Sequence, residues 1–115
     1  MEQNFRPVLT VRIFGEEKCF GPGMAELLER VAEHRSLRAA AISMNLAYSK
    51  AWTMIQRGER ELGFPLLVTV TGGRGGGGAT LTEQAARLLQ AYRAYQADVE
   101  AYAKAQFEAR FAEFR

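Results

Sequence analysis

The sequence predicts an α+β fold, on three observations. A β-branched, alternating stretch near the N-terminus is followed by a short return strand, which reads as a hairpin. Three helical segments with recognisable caps then fill residues 22–62, and two short strands separated by a run of glycines come after them. From Thr82 to the end the chain contains no helix breaker.

The elements follow in order. Residues 8–14, Val8-Leu9-Thr10-Val11-Arg12-Ile13-Phe14, alternate so that Leu9, Val11 and Ile13 share one face of a strand. Gly15-Glu16-Glu17 makes a turn and residues 18–20 return. Gly21-Pro22-Gly23 ends the strand pattern, and Pro22 suits the first turn of a helix. Met24, Leu27, Leu28, Val31 and Ala32 then form an apolar stripe with Glu26, Glu29, Arg30 and Glu33 outside. Ser36 is an N-cap for a helix over residues 37–44, whose Ala39, Ala40 and Ala41 permit close approach of a neighbour. Asn45 tolerates the left-handed conformation of a tight turn, and Leu46 points inward. A third helix covers residues 48–62, buried along Ala51, Ile55 and Leu62, stopped by Gly63 and Pro65.

Residues 66–70 read as a strand, and Thr71-Gly72-Gly73-Arg74-Gly75-Gly76-Gly77-Gly78-Ala79 as the tip of a hairpin. Two helices joined by a tight turn, followed by strand, loop and strand, make a winged helix-turn-helix, in which the second helix enters the DNA major groove. That helix carries Tyr48, Ser49, Lys50, Thr53, Gln56 and Arg57, donors and acceptors of the kinds that reach phosphates and base edges. With Ser36 at the preceding cap, and Thr71 and Arg74 in the glycine run, these residues form the candidate DNA-contacting set. A solvated polar helix face is the plain reading of the same residues. The cationic glycine loop, suited to a narrow groove, weighs against it. A flexible linker is the plain reading of the loop itself.

Thr82 to Phe114 is expected to form one long helix of roughly 50 Å at 1.5 Å per residue. Leu81, Ala85, Leu88, Tyr92, Tyr95, Val99 and Tyr102 recur in steps of four and three, a heptad seam, and Phe107, Phe111 and Phe114 continue an apolar stripe displaced by one position. A helix longer than the domain is wide needs a partner, and a second copy of the chain is the simplest. Leu88, Tyr92, Tyr95, Val99 and Tyr102 are the expected dimer contacts. The expected organisation is a DNA-binding unit over residues 1–81 and a dimerisation helix over 82–115.

Composition narrows the function. The 115 residues are 48% hydrophobic and 24% charged, enough for one globular core. The net charge is only +2, but five cations (Arg38, Lys50, Arg57, Arg60, Arg74) against two anions (Glu59, Glu61) concentrate the excess between residues 36 and 78. A single cysteine, Cys19, excludes an intrachain disulfide and a cysteine zinc cluster, and one histidine, His34, excludes a His-rich site. No cofactor or metal is expected. The glycine run lacks the Gly-Lys-Ser/Thr ending of a phosphate-binding P-loop and the βαβ setting of a dinucleotide fingerprint. Anion binding by its backbone amides is a remote further reading. Nothing resembles a nucleophile-and-base constellation, so an enzyme finds little support. No apolar run approaches the roughly 18 residues of a membrane span, and the N-terminus lacks the pattern of a secretory leader. A reducing cytoplasm fits.

Leu46-Ala47-Tyr48-Ser49-Lys50-Ala51-Trp52 with Ile55, together with the glycine loop and Leu81-Thr82, resembles the N-terminal DNA-binding domain of the ModE family of molybdate-responsive regulators. That domain is itself related to the LysR-type winged helix. The resemblance covers most of the chain and implies a homodimeric, duplex-DNA-binding transcriptional regulator. It brings no oxyanion sensor, because the family's molybdate-binding domains follow the part that is matched. Sensing is then absent or left to a separate ligand-binding protein. The sequence departs from the family at Gly58, where a large apolar residue is expected. Trp52 is a candidate to fill that space, as a core residue instead of a DNA contact. The competing function is a winged-helix protein-interaction module, separated from the first by salt-sensitive binding to duplex DNA.

Overall fold

The computed structural model describes residues 4–70 and 77–114. Among these residues, two small antiparallel hairpins and four helices occur in the order β1 (Ile13–Phe14), β2 (Lys18–Phe20), α1 (Pro22–His34), α2 (Leu37–Ser43), α3 (Tyr48–Leu62), β3 (Leu67–Val70), β4 (Gly78–Leu81) and α4 (Glu83–Arg110). A 3-10 turn, Ala112–Phe114, follows α4. The molecule is elongated, 62 × 31 × 21 Å, because α4 extends beyond the domain.

The core gathers around α1. Met24, Ala25, Leu27, Leu28 and Val31 are buried there, with Leu37, Ala40 and Ala41 of α2, Ala51 and Ile55 of α3, and Phe20, Leu66, Ala79, Ala85 and Tyr92. Ala25 takes the place expected of Ala32, which is exposed. Seven positions apart, the two lie on the same face, so the stripe is shifted along the axis toward the start of α1.

Local signals set the connections. Ser36 Oγ accepts from the Ala39 amide at 3.0 Å and caps α2. Asn45 is left-handed, at φ 53°, and the Leu46 amide donates to the Ala41 carbonyl at 2.9 Å. Gly63 is left-handed at φ 84° and ends α3. Arg35, also left-handed at φ 57°, ends α1.

The first strand is shorter than the alternation suggests. Only Ile13 and Phe14 pair, opposite a three-residue return strand, with a register irregularity between them. Val8 and Leu9 are exposed. The Val11 carbonyl instead accepts from the Tyr92 hydroxyl at 2.7 Å, and burial pushes that phenol's pKa up. Beyond the turn, Glu61 of α3 accepts from the Glu17 amide at 2.7 Å and ties the hairpin to the helix.

The long helix also differs from expectation. It ends at Arg110, where Phe111 stacks back on Phe107 at 4.8 Å between ring centroids, and a 3-10 turn follows. Its apolar seam divides. Ala85 and Tyr92 are buried in the domain's own core, Leu88 packs against that core, and the Tyr92 ring meets Phe20 edge-on at 4.9 Å. Tyr95 and Tyr102 are exposed, and Val99 is half-buried. Arg93 fixes this arrangement with two hydrogen bonds to the Glu29 carboxylate, at 2.6 and 2.9 Å. Those bonds hold Glu29 below its ordinary pKa.

Gly58 has a packing reason. It is buried on α3, and a Cβ there would lie 2.9 Å from the Met24 methyl, 3.3 Å from a Leu66 methyl and 3.4 Å from the Cys19 carbonyl oxygen. Met24 and Leu66 therefore occupy the space that a large residue would fill. Gly58→Leu is expected to overpack this contact and lower unfolding free energy by about 1–3 kcal/mol. Denaturant unfolding would measure this, and an unchanged midpoint would show that α3 can draw away from α1.

Candidate nucleic-acid interface

The site is built on α3. Ala51, Ile55 and Gly58 bury one side of this helix. Helical spacing places Ser49, Thr53, Gln56, Arg57 and Arg60 on the opposite side, and all five are exposed. Lys50, also exposed, stands on the flank beside Met54. The structure thus brings together the α3 residues chosen from sequence and adds Arg60, seven positions after Thr53. That spacing was available in the sequence.

Their side chains are not equally free. The Thr53 hydroxyl donates to the Ser49 carbonyl at 3.0 Å, leaving its lone pairs and methyl group outward. Tyr48 lies edge-on to the half-buried Trp52 ring, at 6.3 Å, and the Arg38 guanidinium sits over the Tyr48 ring at 4.2 Å. Arg38 thereby fixes Tyr48 at the start of α3 through a cation–π contact. This role has no local sequence signature, because the two residues are on different helices. Trp52 packs against the core through one side, but the space at Gly58 that it was expected to fill is taken by Met24 and Leu66.

Ser36 belongs to the start of α2 and not to α3, and its oxygen accepts from the Ala39 amide. Thr71 and Arg74 lie outside the described residues. The base of their loop is well defined. β3 and β4 pair from Leu67↔Leu81 to Val70↔Gly78, and the Ala79 amide donates to the Arg35 carbonyl at 3.0 Å. The hairpin is thus anchored to the end of α1. Gly78 permits this approach, since a Cβ there would be 3.1 Å from the same carbonyl oxygen.

Helix, tight turn, exposed polar helix and anchored hairpin occur in the order of a winged helix-turn-helix. Residues 24–86 match the family of bacterial regulatory helix-turn-helix proteins of lysR type. The chain belongs to that family. It is also similar to the molybdenum transport protein ModE of Herbaspirillum seropedicae, 37% identical over 70 residues that cover 61% of this chain and 26% of that protein. The transcriptional regulator ModE of Haemophilus influenzae is 33% identical over 91 residues, 78% of this chain and 35% of the relative. The DNA-binding transcriptional dual regulator ModE of Escherichia coli K12 is 34% identical over 86 residues, 74% and 32% respectively. The matches span about a quarter to a third of these curated relatives.

Ser36 supplies a test of the scaffold beneath the site. Ser36→Ala should lower stability by about 1 kcal/mol through loss of the cap, while Ser36→Asp should retain it. Thermal unfolding of the two variants would check this, and equal midpoints for Ala and Ser would remove the cap from the account.

Proposed function

We propose that this chain binds duplex DNA as the DNA-binding part of a transcriptional regulator, with α3 in the major groove and the β3–β4 hairpin at the adjacent backbone or minor groove. The observation that carries the reading is the exposed face of α3. It combines Ser49, Thr53 and Gln56 with Arg57 and Arg60, opposite a fully buried seam. Membership of a regulatory helix-turn-helix family and likeness to ModE proteins support it. Lys50 and Arg57 contact phosphates. Tyr48, Ser49, Thr53 and Gln56 approach bases, and Arg74 and Thr71 of the glycine loop serve the narrow groove or its flanking phosphates. This work requires no enzymatic chemistry and is expected in the cytoplasm.

Binding to duplex DNA should weaken as salt rises, because each neutralised phosphate releases counterions. Lys50→Ala is expected to weaken binding to all sequences and make the log–log salt slope shallower by about one unit. Titrations across a salt series test both statements. A wild-type chain whose affinity ignores salt would overturn the reading.

The second part of the proposal is a homodimer through α4. Leu88 and Tyr92 serve the domain's own core, so the contact falls on Tyr95, Val99 and Tyr102, from the middle of the helix outward. Sedimentation equilibrium at micromolar concentration should give twice the 12.8 kDa chain mass. Joint replacement of Tyr95 and Val99 by Asp should return it to the monomer. A wild-type monomer would sink this part and leave the DNA reading to its own test.

A further inference from the structure

A groove of about 380 Å³ runs between α3 and the junction of β2 with α1. Its floor is apolar, with Met24 and Met54 prominent, and its charged walls are Lys18, Lys50 and Arg57. Among the described residues, no acidic side chain lines it. Among the described residues, none of these three cations takes part in an ion pair. All three are exposed. A cleft lined by one sign of charge over a low-dielectric floor focuses the field outward.

We propose that this groove seats the sugar-phosphate backbone of the bound duplex, with Lys18 as a phosphate contact outside the helix-turn-helix. The proposal rests on the DNA-binding reading and extends its footprint to β2. Two features favour a phosphodiester chain over a single small anion. Lys50 and Arg57 are seven residues apart, about 10 Å along α3, so they are spread along a track instead of converging on a point. The groove is also continuous with the exposed side of α3, since both residues belong to that helix. A backbone strand leaving the edge of the major groove would meet Arg57 and Lys50 on one wall and Lys18 on the other. The start of α1 opens on the same space with no side-chain cap and no acid in its first turn. Its dipole adds to the field of the groove without defining it.

Lys18→Gln in the whole chain tests the assignment, with Lys104→Gln, on the distal part of α4, as a control of equal charge change. The probe is a mixed-sequence DNA duplex, titrated across a salt series. Lys18→Gln should bind several-fold more weakly at a given salt, equally on duplexes of different sequence. Its log–log slope should be shallower by about one unit. Lys18→Arg should restore the slope, and the thermal midpoint should be the same in all variants. Lys104→Gln should behave as the wild type. An unchanged slope for Lys18→Gln, or an equal loss for Lys104→Gln, would overturn the proposal while leaving the DNA reading intact. If the wild type fails to bind duplex DNA at all, both fall together. Inorganic phosphate supplies the remaining arm. If millimolar phosphate stabilises the wild type but not Lys18→Gln, while both bind DNA alike, the groove is a free-anion site and the backbone assignment is wrong.

Discussion

The apolar face of α1 is the surface on which the other elements are seated. Leu27, Leu28 and Val31 are fully out of solvent, and side chains of this size contribute roughly 1.5–3 kcal/mol each when buried. Small residues let the neighbouring helices approach that face: Ala40 and Ala41 from α2, Ala51 from α3. Gly58 does the same where α3 passes over Met24 and the Cys19 carbonyl. The position of α3 is therefore fixed by backbone proximity at one end and by the Asn45 turn at the other. The backbone beneath its polar face is thus held in place by packing, so what a ligand must still order there is chiefly the exposed side chains.

Features that depend on a few neighbouring residues were legible in the sequence. The Ser36 cap, the left-handed Asn45 and the Gly63 stop each involve chain neighbours within about four positions, and each is where the pattern places it. Features that require a distant partner were not. Residues 8–12 alternate as a strand should, but β2 is three residues long and offers them nothing to pair with. Their backbone is used differently, as the Tyr92 contact to the Val11 carbonyl illustrates. The seam of α4 makes the same point. Periodicity records which face of a helix is apolar and does not record whose surface covers it. Here the domain itself takes Ala85, Leu88 and Tyr92. In the candidate site, α3 could be read face by face. The Arg38–Tyr48 contact and the groove beside Lys18 could not, because each joins elements separated by a turn or a helix.

On the DNA-binding reading, α3 divides its work by position around its axis. Lys50 and Arg57 lie toward one flank, where phosphates would be met, while Ser49, Thr53 and Gln56 lie along the centre and far side. Thr53 carries a hydroxyl whose proton is already given to Ser49. It is thus suited to accept a hydrogen bond or to offer its methyl group, and poorly suited to donate. Tyr48, clamped between Arg38 and Trp52, has few orientations left. A site assembled this way discriminates by fixed geometry more than by adaptation.

Thr82 joins this interface to the helix proposed to dimerise. Its amide donates to the Leu66 carbonyl at 3.0 Å, which closes the base of the β3–β4 hairpin. Its hydroxyl donates to the Pro65 carbonyl at 2.8 Å and accepts from the Ala85 amide at 3.1 Å, which caps α4. One residue therefore ends the hairpin and starts the long helix, with no free linker between them. The Glu29–Arg93 pair and the Tyr92–Phe20 contact lock the next three turns of α4 to the same domain. In a dimer formed through α4 beyond Arg93, the distance between two α3 helices would then be set by packed parts alone. Two-fold readers of DNA need such a fixed separation, because their half-sites recur at the helical repeat. On the dimer reading, the division of the α4 seam, inward at Leu88 and Tyr92 and outward at Tyr95 and Tyr102, would let one helix hold its own domain and still offer a face to a second copy.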